Sequence, residues 1–157
     1  MKGNDEVIQV LNDVLCAELT AINQYMIHHA MCDNWAYARL AAKAREGAIE
    51  EMRHAEAVIE RILYLDGTPN MQKYMKVNVG PTVPEQHQLD LQLENDAVAR
   101  LNAGVALCRE KGDNGTRSLL EGILKDEEAH VDFLESQLQQ IEDVGVENYL
   151  AQQIEKE

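Results

Sequence analysis

Aromatic residues make up only 4% of this 157-residue chain, with one Phe and one Trp. Strands draw on aromatic and β-branched side chains, so a sheet-built core is a poor match. Proline is equally scarce. Pro69, Pro81 and Pro84 all fall in one segment with Gly67 and Gly80, and no other proline breaks a helix. The cysteines, Cys16, Cys32 and Cys108, are odd in number and form no Cys-x-x-Cys pair. They point to free thiols in a reducing compartment, the cytoplasm. Long apolar runs are missing as well. The longest stretch without charge, 19–32, is interrupted by Asn23, Gln24, His28 and His29, which rules out a membrane span. Lys2, Asp5 and Glu6 precede any apolar run, so no secretory signal is expected. Positive charge is in deficit, with 14 Lys and Arg against 28 Asp and Glu and a net charge of −14. That balance opposes nucleic acid or an anionic membrane as partner and favours cations, metal ions among them.

What the chain does have is helix formers. Ala, Leu, Glu, Lys, Gln, Arg and Met account for 83 residues, within a composition 45% hydrophobic and 27% charged. The expectation is one all-α domain over 1–157, with helices at about 4–33, 37–65, 84–111 and 117–142, the last two joined by a turn at 112–116. A short tail helix follows Gly145, at about 147–154. The connections run short, long, short. The long one, about 66–83, has to cross the length of a four-helix bundle.

The core stripe of each helix is interrupted near its middle by acid. The first reads Leu11, Val14, Leu15, then Glu18, then Ile22 and Tyr25. The second reads Ala44, Gly47, Ala48, then Glu51 and His54, then Ala55, Val58 and Ile62. Glu94 stands between Leu91 and Val98 on the third, and Glu127 with His130 between Leu124 and Leu134 on the fourth. Unpaired, each buried carboxylate costs several kcal/mol, and no Lys or Arg lies on these stripes. Two divalent cations would cancel four carboxylates held with two neutral imidazoles, and Glu with His suits iron, manganese or zinc. About 0.6 Glu-x-x-His matches are expected here by chance, so the spacing alone is modest evidence for a metal site. Two pairs in mid-stripe on different helices, with lone glutamates in mid-stripe on the other two, match the known pattern of ferritin-like di-iron bundles.

The chain resembles the bacterioferritin family over nearly its full length. The resemblance is carried by residues 1–3 (Met-Lys-Gly), the run from Glu18 to Tyr25, Glu51-Met52-Arg53-His54-Ala55-Glu56, Asp126-Glu127-Glu128-Ala129-His130 and Glu147-Asn148-Tyr149-Leu150. It implies a ferritin-like bundle assembled as a 24-subunit homo-oligomeric shell with iron mineral inside. It also implies a ferroxidase centre oxidising Fe2+ with O2 or H2O2, and one haem b per subunit pair at the two-fold axis. Glu18, Glu51, His54, Glu94, Glu127 and His130 fall on the di-iron ligands, with Glu51 and Glu127 as bridges. The resemblance further implies an electron-donating ferredoxin as partner, with the haem admitting electrons for iron release.

Met52 follows Glu51 by one residue and so points about 100° away from the bundle interior. It shares an outward apolar face with Ile49, Ile59, Leu19, Ile22 and Met26. By itself this reads as a dimer contact; by resemblance, paired Met52 thioethers are the axial ligands of haem iron. Tyr25 is expected to be a core tyrosine satisfied by a carboxylate, and His28, His29 and His87 to be core-edge or surface residues without a matched partner. Some positions depart from the family. Glu46 and Glu50 stand where many members carry a His and an Asp as an inner iron site. Asn148 matches the lining of the four-fold channel, but the Gln expected after it is displaced to Gln152 by Ala151. The rival readings are a haem-free ferritin, a di-iron peroxidase resembling rubrerythrin, and a purely structural helical bundle.

Overall fold

The computed structural model describes residues 1–155 and contains five helices: α1 Asp5–Asn34, α2 Ala38–Tyr64, α3 Val83–Glu110, α4 Asn114–Val144 and α5 Val146–Ala151. Polar side chains start three of the long ones. Asn4 Oδ1 accepts from the N–H groups of Glu6 and Val7, Thr82 accepts from Glu85, and Asp113 accepts from Thr116. Pro84 sits in the first turn of α3, where no hydrogen-bonding N–H is needed. The expected all-α bundle with a long crossover and a short fifth helix is what forms.

α1 pairs with α2 and α3 with α4 as two hairpins. The amphipathic stripes meet in a core of Val7, Leu11, Val14, Leu15, Val58, Ile62, Leu101, Leu120 and Ile123, all buried. This core fills the half of the bundle around the N-terminal part of α1. At the opposite end a second cluster joins Cys32, Leu40, Ala41 and Val83 to Tyr149 of α5. All three cysteines are free and buried.

The crossover, 65–82, is not held by packing alone. Four polar side chains on one line of α1 catch its backbone in order. Asn12 accepts from Asn70 N–H at 2.8 Å, and Thr20 Oγ1 from Met75 N–H at 2.9 Å. Gln24 Oε1 accepts from Asn78 N–H at 3.3 Å, and His28 Nε2 from Gly80 N–H at 3.0 Å. The loop therefore runs alongside α1 in the same direction, and α3 starts beside the C-terminal end of α1, antiparallel to it. A Cβ on Gly80 would sit 2.5 Å from Gln86 N, so only glycine fits where the chain turns into α3.

Two expectations need correction. His28 and His87 are buried rather than at the core edge or surface, while His29 is half-buried as expected, and each bonds to a neighbour. His28 Nδ1 donates to Asp90 Oδ1 at 2.9 Å, His29 Nδ1 to the Ala41 carbonyl at 2.7 Å, and His87 Nε2 to the Tyr149 hydroxyl at 3.0 Å. The tail helix also ends at Ala151, earlier than expected. The N–H groups of Gln152 and Gln153 turn back to Tyr149 and Leu150, and the Gln153 carbonyl accepts from Arg39 N–H, which fixes the end to α2.

Replacing Gln24 by Ala removes the amide that joins Asn78 to Asp90, leaving buried groups unpaired at a cost of about 1–3 kcal/mol. The expected outcome is a lower melting temperature together with faster protease nicking between residues 70 and 80. Unchanged nicking would mean that the crossover is held by other contacts.

Candidate metal centre

Each long helix delivers one carboxylate to the same place between the hairpins. Glu18, Glu51, Glu94 and Glu127 are all at most 3% exposed. His54 and His130 stand one turn after Glu51 and Glu127 on α2 and α4, as their three-residue spacing requires. Six expected site residues thus converge. They form two groups, each small enough for one ion: Glu18, Glu51, His54 and Glu127, and Glu51, Glu94, Glu127 and His130. Glu51 and Glu127 belong to both.

These atoms approach one another without bonding. His54 Nδ1 lies 3.0 Å from Glu127 Oε1, 3.6 Å from Glu18 Oε2 and 3.7 Å from Glu51 Oε1. His130 Nδ1 lies 3.3 Å from Glu51 Oε1 and 3.4 Å from Glu94 Oε1. Yet Glu18 Oε2, Glu51 Oε1, His54 Nδ1, Glu94 Oε2, Glu127 Oε1 and His130 Nδ1 are all buried without a hydrogen bond. One orphaned atom from each of six convergent residues departs sharply from the rule that buried polar atoms are paired. The atoms face shared points between them, as ligands do.

Burial, with mutual repulsion added, raises the pKa of Glu18, Glu51 and Glu127 and pushes Glu94 up to about 8. Burial works in the opposite sense on the imidazoles, but the surrounding carboxylates outweigh it and push His54 and His130 up to about 12. Without a cation, the cluster holds protons in its place.

The outer nitrogens of the two imidazoles are held crosswise. His54 of α2 binds Asp126 of α4 through Nε2 at 2.8 Å, and His130 of α4 binds Glu50 of α2 through Nε2 at 2.9 Å. Each acid stands one residue before a shared glutamate. They fix ring orientation and leave Nδ1 free to face the centre. Sequence reasoning gave Asp126 no role. The repeated acid-Glu-x-x-His pattern, at 50–54 and 126–130, was the available signal. Glu46 is exposed and meets Lys43 at 3.8 Å, while Glu50 groups with His54 and Asp126. Tyr25 donates to Glu94 Oε1 at 2.6 Å, the carboxylate partner expected for it. Met52 lies on the outer face of α2 and is 45% exposed.

In the metal-free chain, cation binding must expel the protons on Glu94, His54 and His130. Titrating apo-protein with Co2+ in weak buffer should therefore release protons. The number per chain should fall by about one as the pH is raised through about 8, where Glu94 has already lost its own. The same raised carboxyls make the apo fold less stable as pH rises from about 4.5 towards 8, because the folded chain then holds more protons than the unfolded one. The raised imidazoles add stability that is complete below about 6.5 and is lost as pH approaches about 12. Melting curves with and without Co2+ check both signs.

The model of the ferritin-like domain matches residues 8–144. A bacterioferritin of Mycolicibacterium paratuberculosis is 48% identical over 152 residues, covering 97% of this chain and 96% of that protein. That of Streptomyces coelicolor is 46% identical over 156 residues, with 99% and 93% covered. That of Brucella melitensis is 43% identical over 149 residues, with 95% and 92% covered. Together with the helical architecture and the six-residue cluster, these likenesses show that the chain belongs to the bacterioferritins of the ferritin-like family.

Proposed function

We propose that this protein stores and detoxifies iron. It oxidises Fe2+ to Fe3+ at the four-helix cluster and holds the ferric product as mineral inside a shell of 24 copies. The observation that carries this reading is the set of six orphaned donor atoms divided between two ion-sized groups that share Glu51 and Glu127. One Fe2+ is held by Glu18 and His54, the other by Glu94 and His130, with the shared glutamates bridging. Each Fe2+ gives up one electron. The pair supplies the two that take dioxygen to the peroxide level, or hydrogen peroxide with two protons to water. Hard carboxylate oxygens favour the higher charge of Fe3+ and so drive the oxidation. Asp126 and Glu50 orient the imidazoles, and the acidic surface draws Fe2+ towards the shell at low ionic strength. The three free thiols suit the cytoplasm.

Haem b is assigned to the outer face of the α1–α2 hairpin. Met52 fits it: it is 45% exposed, and Met26 of α1 is exposed as well, at 58%. A two-fold axis through this face would supply a second Met52, so that the paired thioethers would hold the haem. When bound, the haem supplies one-electron transfer, the chemistry needed to reduce stored Fe3+ with electrons from a ferredoxin.

Glu127→Ala should still fold and assemble. It should lose more initial oxidation rate than the about 10–100-fold typical for loss of an outer-sphere partner, since it removes a ligand common to both ions. Stopped-flow absorbance of added Fe2+ reads this; a variant as fast as the parent would overturn the bridging role.

Met52→Leu should keep the shell mass and the oxidation rate and lose the Soret band after haem loading. A retained Soret band would move haem elsewhere. No Soret band in the loaded parent would favour a haem-free ferritin.

A further inference from the structure

Beside the metal cluster, on the side away from the apolar half of the bundle, lies a second cavity of about 50 Å³. Its inner wall is Tyr25 and His130, whose rings meet edge-on with centroids 6.3 Å apart. Its sides are largely apolar, formed by Ala44, Gly47, Leu40 and Leu134, with the Glu50 carboxylate beside His130.

Most of the polar side chains at its deep end bond to one another. His28 donates to Asp90, and Asp90 also accepts from Gln24 at 2.8 Å. The Cys32 thiol points to Gln86 Oε1 at 3.3 Å, while Gln86 Nε2 donates to the Gly80 carbonyl. His87 donates to Tyr149, and Tyr25 to Glu94. A water needs two or more free partners to enter such a space, whereas an apolar cavity of sufficient size stays dry and takes up apolar guests.

The cavity also has a way out. Leu40, Lys43, Glu46 and Phe133 line both it and a wide groove of about 600 Å³ between α2, α4 and the end of the chain. Lys43 Nζ lies 4.7 Å over the Phe133 ring, and this pair covers the mouth.

We propose that this cavity binds dioxygen and passes it to the metal cluster on the His130 side. The proposal rests on the iron-oxidation reading above and narrows its oxidant. Dioxygen is small, neutral and apolar, so it gains from a dry apolar wall and needs no hydrogen bond. Hydrogen peroxide would have to give up its hydration to enter between walls that are largely apolar.

Xenon is the probe. Crystals of the assembled protein under xenon pressure should show a xenon atom between Ala44, Gly47 and Leu134, and Ala44→Leu should abolish it. The same variant should still bind two Co2+ per chain and oxidise Fe2+ with hydrogen peroxide at the parent rate. Its kcat/KM for dioxygen should fall about tenfold. Should Ala44→Leu fail to assemble, Leu134→Phe fills the same space and serves in its place. An empty cavity under xenon, or a filled variant as fast with dioxygen as the parent, would overturn the proposal. If the parent bound no Co2+, the iron-oxidation reading would fail and dioxygen delivery with it. Xenon occupancy would separate that result from a failure of the cavity itself.

Discussion

Four carboxylates meet in the middle of a helical bundle, and the rest of the structure is arranged around the cost of keeping them there. In a low-dielectric interior like charges at such distances repel strongly, and burial penalises each charge alone. The fold does not relieve this with lysine or arginine. It sets two imidazoles among the acids and leaves one donor atom of each group unbonded. Such a site is unfavourable when vacant and favourable when two cations fill it, so stability and cation binding are linked.

The geometry also ties the two halves of the molecule together. The α1–α2 hairpin contributes Glu18, Glu51 and His54, and the α3–α4 hairpin contributes Glu94, Glu127 and His130. Each ion-sized group takes three residues from one hairpin and one glutamate from the other. The outer contacts cross in the same way, with Asp126 holding His54 and Glu50 holding His130. Cations at this position would act as a clasp between hairpins whose direct contacts lie mainly within each pair. The apolar core at one end and the Tyr149 cluster at the other hold the helices so that the four acids stay level.

Parallel placement of α2 and α3 requires an 18-residue crossing, 65–82, and α1 carries the hardware for it. Its core face holds Leu11, Leu15 and Glu18, while Asn12, Thr20, Gln24 and His28 follow a second line that receives the loop's backbone N–H groups. Two of these, Gln24 and His28, reach on to Asp90 of α3. The loop is thereby connected to the wall of the cavity beside the metal cluster. These bonds satisfy backbone donors along the crossover, the buried Gly80 N–H among them, and hold a long segment without secondary structure in place.

Much of this was readable from local pattern. Apolar residues at helical spacing mark α1 to α4, the clustering of proline marks the crossover, and the acids interrupting each stripe mark the six residues that converge. Helical periodicity decides which face a residue takes, and a face that must be buried exposes any charge placed on it as an anomaly. The crosswise pairing of Asp126 and Glu50, the partners of His28 and His87, and the cavity behind His130 were not readable in this way. They depend on how far one helix is shifted and rotated against another, and no spacing within a single helix records that. Which glutamates interrupt the core stripes was determined by the chain alone. Which atoms face a common point, and which are spent holding a neighbour, was decided only when four helices packed at one level.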